Sequence, residues 1–373
     1  MKIYLVGGAI RDHILGLPVK ERDWVVVGAT VNDMLKLGYN QVGKEFPVFL
    51  HPKTGEEYAL ARMERKIEPG YKGFTVDTSP CVTLADDLLR RDLTINAMAQ
   101  TPEGELIDPY HGKQDLEQKI LRHVSSAFTE DPVRILRVAR FLARYAHQGF
   151  SIAPETIALM RSMVQSGEVD ALVAERVWKE LERALGEKNP EKFFTVLAEC
   201  DALPILFPNL SADSIGIKAL VATTHITDYP TIRFAALLHA LPEAKKSILS
   251  LTQRYRIPNH YKELAVLTAL HYEKTLYAQG LSANELLQLF NALDIFRREK
   301  RFEDFLIACQ AIAQTHAIQF DPIWLTACAS VAKSVDIQAL LAQGFNNVEL
   351  ASKLKEERCK KIAVWLSSST KQQ

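Results

Sequence analysis

The sequence has few of the features of an exported or membrane-bound protein. Its 373 residues include five cysteines, none of them in a CxxC pair, which argues against a disulfide framework or a zinc site and indicates reduced thiols. No segment approaches the ~18 consecutive apolar residues of a membrane span. The start lacks the length and cleavage site of a secretory signal. We therefore expect a cytoplasmic protein without membrane contact.

Net charge is also absent. The chain carries 45 basic and 45 acidic residues, so its formal charge is zero. Any contact with nucleic acid must then come from local clusters of basic residues rather than from a globally positive surface. The length exceeds the ~250 residues at which a single core usually stops growing, so we expect several domains.

The patterning changes along the chain. Strand-like runs occupy residues 3–6, 24–27, 48–50 and 58–61, and the segment between the last two reads as a hairpin that places Glu57 at the start of the returning strand. From about Asp131 the periodicity becomes helical, with breaks near Gly149, 186–190, 203–204 and Gly344. The sequence predicts an α+β head followed by a nearly all-α remainder.

A glycine turn follows the first predicted strand. Gly7 and Gly8 precede a helix whose first turn contains Arg11. Glycines let the backbone approach an anion, and an arginine can pair with its oxygens, so the pattern suits a phosphate. Such turns are also common punctuation after strands, and this one alone does not decide between the two interpretations.

Two acids lie beside the second predicted strand. On an extended chain, Glu21 and Asp23 project to one side, and hard oxygen ligands of this kind suit Mg²⁺. The alternative is a solvated acidic pair, but the neighbouring glycine turn favours a metal site. Glu57 would lie on an adjacent strand as a third acid, whereas Glu56 would point to the opposite face.

Two further segments concentrate charge. Arg91, Asp92 and Asn96 lie in a predicted turn and helix start, where an arginine could clamp a triphosphate and the other two could read a ribose hydroxyl. A salt-bridged surface helix capped by Asn96 is the alternative. The second segment, residues 130–144, predicts a helix that begins at Pro132.

That helix carries four arginines on one face, at positions 134, 137, 140 and 144. Their spacings of three and four residues make them repel one another. No glutamate follows Glu130 on the same helix to neutralise them, so we expect a phosphate or RNA as their partner.

Together these motifs resemble a known family. The runs LVGGAIRDHILG (5–16), RRDLTINA (90–97) and EDPVRILR (130–137), with the acidic pair, are similar to bacterial class II tRNA nucleotidyltransferases, the CCA-adding enzymes. Weaker likeness continues through 175–180 and 200–208. The resemblance implies a polymerase-β-type nucleotidyltransferase head over 1–128, a helical neck over 129–210, and a helical body and tail over 211–373 that bind the tRNA acceptor arm.

The resemblance also implies roles for individual residues. Gly8 and Arg11 would contact the incoming nucleotide, Glu21 and Asp23 would hold Mg²⁺, and Asp131 and Arg134 would select the base. Arg91, Arg137 and Arg140 would hold the triphosphate. To these the residues themselves add Glu57 as a third catalytic acid and Asp92 and Asn96 as nucleotide contacts. Cytosine and adenine both present an amino donor beside an unprotonated ring nitrogen, which a carboxylate and a guanidinium match. Addition from CTP and ATP would follow a two-metal in-line displacement.

Two departures from the family pattern stand out. The family's metal pair is normally Asp-x-Asp, whereas the first acid here is Glu21, one methylene longer. Longer relatives carry a histidine-aspartate phosphohydrolase domain, and the nearest remnant here reads Leu238-His239-Ala240, without the metal-binding aspartate. We therefore expect no phosphatase or phosphodiesterase activity.

Three other functions remain open at this stage. A poly(A) polymerase shares the head motifs. An enzyme that adds only CC or only A would differ in a loop near 64–74. A weakened, non-catalytic RNA-binding module is a third possibility, suggested by Glu21. Protein partners are unknown.

Overall fold

The chain forms two compact units, Met1–Pro208 and Asn209–Gln373. In this computed structural model, residues 1–42, 47–66 and 74–369 are described. The first unit is α+β and the second is helical throughout its described part. The fold class expected from the sequence is confirmed.

The first unit is built on a seven-stranded sheet. Its strands in chain order are β1 (Lys2–Val6), β2 (Asp23–Val27), β3 (Asn40–Val42), β4 (Val48–Leu50), β5 (Glu57–Leu60), β8 (Ala99–Gln100) and β9 (Leu106–Ile107). Their order across the sheet is β3-β4-β5-β2-β1-β8-β9. Two small sheets pair β6 (Met63–Lys66) with β7 (Phe74–Asp77), and β10 (Ile120–Leu121) with β11 (Ser151–Ile152).

The predicted hairpin is present. Strands β4 and β5 are antiparallel, with Leu50 opposite Glu57. Glu57 is therefore the first residue of the returning strand, as expected. The neighbouring strand β2 runs parallel to β5, and this register sets Asp23 directly beside Glu57.

Helices cover the sheet and make up the rest of the first unit. They are α1 (Gly8–Ile14), α2 (Val31–Lys36), α3 (Leu84–Leu89), α4 (Gly112–Gln118), α5 (Val133–Tyr145), α6 (Pro154–Gln165), α7 (Ala174–Leu185), α8 (Glu191–Glu199) and α9 (Leu203–Leu206). Helix α5 packs on both α7 and α8, and most of its side chains are buried. It is the central helix of this unit.

The second unit contains nine helices within its described residues. They are α10 (Ile215–Thr223), α11 (Pro230–Leu238), α12 (Ala244–Arg254), α13 (Asn259–Leu276), α14 (Ala283–Ala292), α15 (Glu299–Thr315), α16 (Pro322–Lys333), α17 (Ile337–Ala342) and α18 (Asn347–Ser369). Helices α10, α11, α13 and α15 pack on one another, and their facing apolar side chains form its core.

One stretch, Pro322–Ala342, is apolar enough to suit a membrane span, with a mean hydropathy of 1.3. It is not one helix. Helix α16 ends at Lys333 and α17 begins at Ile337, so the two segments have 12 and 6 residues, each shorter than the ~20 that cross a bilayer. The stretch therefore gives no structural support for a membrane span.

The loop near 64–74, which is predicted to distinguish full CCA addition from partial CC or A addition, lies partly outside the described residues. Residues 67–73 are not described, and strands β6 and β7 flank them. The division of the chain at 128 and 210 into head, neck, and body and tail stays a prediction.

Candidate active site

A cleft of about 560 Å³ opens in the first unit, beside the ends of β1 and β2. This volume is typical of a small-molecule site. Among the described residues, its lining includes seven arginines and five acids: Arg11, Arg62, Arg90, Arg91, Arg134, Arg137 and Arg176, with Asp23, Glu57, Asp87, Asp92 and Asp131. The excess of arginine over acid favours an anionic ligand.

The glycine turn lies at one wall of this cleft. Gly7 has a φ of 72°, a conformation that glycine adopts without strain. A Cβ at Gly7 would come 2.8 Å from Nη1 of Arg91. The turn therefore needs glycine for its backbone and also for the room that it leaves to Arg91.

Arg11 is held rigidly beside the turn. Its Nη1 donates to Oδ1 of Asn96 at 2.5 Å, and its Nε donates to Oδ1 of Asp12 at 2.9 Å. Arg11 is only 5% exposed. The sequence motifs at 5–16 and 90–97 thus meet through Arg11 and Asn96.

The acids Asp23 and Glu57 lie side by side on parallel strands. Burial first, and then the charge of Glu57, raise the pKa of Asp23 above its usual value, while Arg91 acts in the opposite direction. Two carboxylates that disfavour each other's charge would be relieved by a cation between them. The donor set therefore fits a divalent metal.

Glu21 occupies a different position from the one that the sequence suggested. Strand β2 begins at Asp23 because its partner β1 ends at Val6, the residue opposite Asp23. Glu21 therefore precedes the strand and does not line the cleft. Its charge still reaches Asp23 and contributes to the raised pKa of that acid. In the described part of the chain, no three acid, histidine or cysteine side chains converge to hold one ion.

The neighbouring acid Glu56 is engaged elsewhere. Nε1 of Trp24 donates to Oε2 of Glu56 at 3.1 Å, and Arg22 lies 3.9 Å from its other oxygen. Glu56 does not line the cleft, which leaves Glu57 as the acid beside Asp23.

Asp92 is the centre of a buried polar network. Its Oδ1 accepts a hydrogen bond from Nδ2 of Asn96 at 2.9 Å, and its Oδ2 accepts one from Nε of Arg137 at 2.7 Å. Burial alone would raise the pKa of Asp92, but Arg137, Asn96 and Arg134 together hold that pKa below its usual value. The network ties α5 to the segment that follows α3.

Substituting Asp92 with asparagine is expected to destabilise the protein by about 2 kcal/mol, because Arg137, whose side chain is 34% exposed, loses a buried counter-charge. The folded-state pKa of Asp92 is lowered. Its contribution is therefore complete above the unfolded pKa of ~3.9 and is lost as pH falls toward the folded value. Urea unfolding at pH 7 and at pH 3 should show a smaller gap between wild type and Asp92→Asn at the lower pH. An equal gap at both values would contradict this assignment.

The arginine face of α5 already has partners within the protein. Asp92 pairs with Arg137 at 2.6 Å, Glu180 pairs with Arg140 at 2.5 Å, and Asp12 lies 3.5 Å from Arg144. These acids come from α1, α7 and the loop after α3 rather than from α5 itself, so the absence of glutamates on α5 does not leave its arginines without negative charge. Arg134 and Arg137 line the cleft, whereas Arg140 does not.

Arg134 is held by backbone carbonyls. Its Nη1 donates to the carbonyl oxygen of Ala127 at 2.7 Å, and its Nη2 to that of Arg90 at 2.6 Å. The acid that the sequence pairs with it, Asp131, accepts from both terminal nitrogens of Arg176, at 3.0 and 2.7 Å. Both members of the expected base-selecting pair thus line the cleft in fixed positions.

The cleft brings together most of the residues singled out from the sequence. Glu21, Arg140 and Arg144 do not line it. Sequence reasoning missed Arg62, Asp87, Phe141 and Arg176, which do. The run 175–180 carried a weak family likeness that could have pointed to Arg176. Asp87 pairs with Arg91 at 3.2 Å, and their spacing of four residues could have pointed to that contact.

The second unit contains the segment Leu238-His239-Ala240. His239 is 1% exposed, its Nδ1 lies 2.7 Å from the carbonyl oxygen of Ala236, and burial lowers its pKa. Alanine follows it at 240. The expected lack of phosphohydrolase activity stays a prediction.

Comparison with known proteins identifies the family. The family described as "Poly A polymerase head domain" matches residues 3–122, and "Probable RNA and SrmB- binding site of polymerase A" matches 149–214. A CCA-adding enzyme of Coxiella burnetii is 50% identical, over 98% of this chain and 96% of its own length. The chain belongs to the CCA-adding enzyme family. A Multifunctional CCA protein of Pseudomonas putida is 51% identical over 98% of this chain and 99% of its own.

The fold of the CCA-adding enzyme family is also present. The solved structure of a Thermotoga maritima CCA-adding enzyme complexed with tRNA has a TM-score of 0.70 at 21% identity, and the match covers 99% of this chain and 91% of that one. Together with the head-domain match, it confirms the predicted polymerase-β-type head and helical remainder. The chain is a nucleotidyltransferase, and membership of this family implies dependence on a divalent metal.

Proposed function

We propose that this protein builds and repairs the 3′-terminal CCA of tRNA from CTP and ATP, with release of pyrophosphate, in the cytoplasm. The observation that carries the proposal is that one cleft holds the acid pair, the arginines and the Asp131 and Arg134 pair together. The names of the Coxiella and Pseudomonas relatives support CCA addition, and the tRNA complex of the Thermotoga enzyme supports tRNA as the substrate.

We assign the chemistry to Asp23 and Glu57, with Glu21 as a further metal ligand and Mg²⁺ as the metal. Magnesium, when bound, would activate the 3′ hydroxyl of the primer and stabilise the leaving pyrophosphate. The adjacency of Asp23 and Glu57 and the raised pKa of Asp23 support this assignment. Glu21 has weaker support, since it acts on Asp23 from outside the strand.

The arginines would hold the triphosphate. Arg11 and Arg91 flank the glycine turn, and Arg137 lies on α5 across the cleft. Each is oriented by a protein acid or amide, which lowers the entropy that is lost when a phosphate binds. Gly8, Asp92 and Asn96 complete the nucleotide contacts. Arg140 would act indirectly, because Glu180 already holds its guanidinium.

Base selection would follow from the Asp131 and Arg134 pair. The carboxylate accepts from the amino group of cytosine or adenine, and the guanidinium donates to the ring nitrogen. Uracil and guanine present the reverse pattern and would be rejected. No nucleic-acid template is then needed.

One assay tests the function. Purified protein receives tRNA lacking CCA, Mg²⁺ and labelled CTP or ATP, and the products are sequenced. Ordered CCA addition supports the proposal. Long adenylate tails would instead identify a poly(A) polymerase, CC or A alone a partial enzyme, and no incorporation a binding module. Replacing Mg²⁺ with Mn²⁺ or Ca²⁺ in parallel reactions identifies the metal.

A substitution at Gly7 tests its two roles, which are to adopt a positive φ and to leave room for Arg91. We expect Gly7→Ala to cost about 2 kcal/mol of stability, because its φ of 72° with a ψ of −130° is strained for a side chain. The new Cβ also displaces Arg91, which should raise the KM for CTP and ATP ~fivefold. Gly55→Ala is the control, since Gly55 also has a φ of 72° and nothing within 4 Å of an added Cβ. The control should keep its KM. Equal KM changes in the two variants would argue against a phosphate role for Arg91.

A further inference from the structure

Helix α7 contributes a residue to the cleft that no sequence motif assigned. Arg176 lies in the first turn of α7 and donates from both terminal nitrogens to the two carboxylate oxygens of Asp131, at 3.0 and 2.7 Å. Both side chains line the cleft. A planar guanidinium that contacts both oxygens fixes the plane of the carboxylate as well as its position.

Asp131 is restrained from a second direction. Its Oδ1 also accepts a hydrogen bond from the backbone nitrogen of Val133 at 3.2 Å, at the start of α5. The carboxylate is therefore held between two helices, by a backbone donor of α5 and by the side chain of Arg176. Rotation about its side-chain bonds would break contacts with both.

The helix that carries Arg176 is itself anchored to α5. Glu180, one turn further along α7, pairs with Arg140 at 2.5 Å, and each side chain of that pair is only 7% exposed. Helix α7 thus contributes one arginine and one glutamate to these two ion pairs. Arg176 pairs with Asp131, just before α5, and Glu180 pairs with Arg140 of α5. The buried Glu180–Arg140 pair therefore holds α7, and with it the backbone of Arg176, against α5.

We propose that Arg176 is a positioning residue for nucleotide selection: its bidentate contact orients the Asp131 carboxylate so that one edge accepts from the amino group of cytosine or adenine. The inference rests on the proposed function. Without Arg176 the carboxylate can turn away from the base, and the site loses its preference for bases that carry an amino donor. Because Asp131 contacts the base rather than the reacting phosphate, we expect this orientation to act on the KM for matched nucleotides more than on kcat.

The test measures kcat and KM for each of CTP, ATP, UTP and GTP with Arg176→Lys and Arg176→Ala. A lysine keeps the charge but contacts the carboxylate as a single point. We expect both variants to raise the KM for CTP and ATP about tenfold, to leave kcat within about threefold, and to lower the ratio of CTP to UTP efficiency about tenfold. Arg183→Ala, an exposed arginine of the same helix, is the matched control and should match wild type.

Two results would overturn the role of Arg176. Equal losses for all four nucleotides would leave the selectivity ratio unchanged and indicate a purely structural contribution. A lower KM for CTP would mean that Arg176 obstructs Asp131 rather than orienting it.

A double-mutant cycle gives an independent readout that does not need the alanine variant to be stable. If Arg176 acts through Asp131, then Arg176→Lys should change the selectivity ratio less than twofold in an Asp131→Asn background. Additive effects would reject the proposal. The wild-type reaction distinguishes failure of the proposed function from failure of the role of Arg176. If the wild type does not add CCA, the proposed function is rejected. If the wild type adds CCA normally but the effects of the two substitutions are additive, only the role of Arg176 is rejected.

Discussion

Asp23→Asn is expected to lower kcat for nucleotide addition about a thousandfold, equivalent to ~4 kcal/mol of transition-state stabilisation. Asp23 begins β2 directly beside Glu57 on β5, and both line the cleft. The amide keeps the shape of the side chain but removes the charge that a divalent metal requires. Single-turnover incorporation of labelled CTP into tRNA lacking CCA, at saturating nucleotide and at several Mg²⁺ concentrations, measures the effect.

Two further variants test whether Glu21 is also a metal ligand. If Glu21 is a metal ligand, Glu21→Gln should raise the Mg²⁺ concentration for half-maximal rate about tenfold, whereas Glu21→Asp should stay within about fivefold of wild type. Glu56→Gln is the control, because Glu56 accepts from Trp24 outside the cleft and its amide can still accept. A wild-type metal response in Glu21→Gln would assign the metal to Asp23 and Glu57 alone.

The second large effect concerns base choice. Asp131→Asn is expected to lower the ratio of CTP to UTP efficiency about a hundredfold, or ~2.7 kcal/mol. The amide introduces a donor that can pair with the carbonyl oxygen of uracil, where the carboxylate could only accept. Competition between CTP and UTP for one tRNA, followed by sequencing of the added nucleotides, reads out the ratio directly.

A matched substitution controls for the loss of an ion pair as such. Asp201 lies 3.4 Å from Arg161, away from the cleft, and its positive φ is one that asparagine tolerates. Asp201→Asn should therefore keep the nucleotide preference of wild type. If Asp131→Asn lowered the rates of all four nucleotides equally and left the ratio unchanged, Asp131 would be a structural residue.

The sequence was a good guide wherever the relevant physics is local. Strand ends, the hairpin before Glu57 and the start of α5 follow from turn residues, alternation and helix periodicity, which act over a few positions. The expectation that Glu21 lies on the same strand as Asp23 was wrong for a non-local reason. The period of two holds only inside a strand, and β2 starts at Asp23 because β1 stops pairing at Val6.

The arginine face of α5 also shows that non-local contacts cannot be predicted from local sequence. The spacing of the arginines and their need for negative charge follow from the sequence of the helix. The acids that supply the charge do not, because tertiary packing brings them from distant segments. Asp92, Glu180 and Asp12 lie about 45, 40 and 130 residues from their arginines in the chain.

By itself the sequence determined the family, the fold class and the residue types of the cleft, because motif order and hydrophobic periodicity are properties of the linear chain. Only the tertiary structure decided which arginines line the cleft and which acids pair with them. It alone placed Arg176 on Asp131 and Glu180 on Arg140, since contacts between helices depend on how their buried faces pack, and no local pattern encodes that packing.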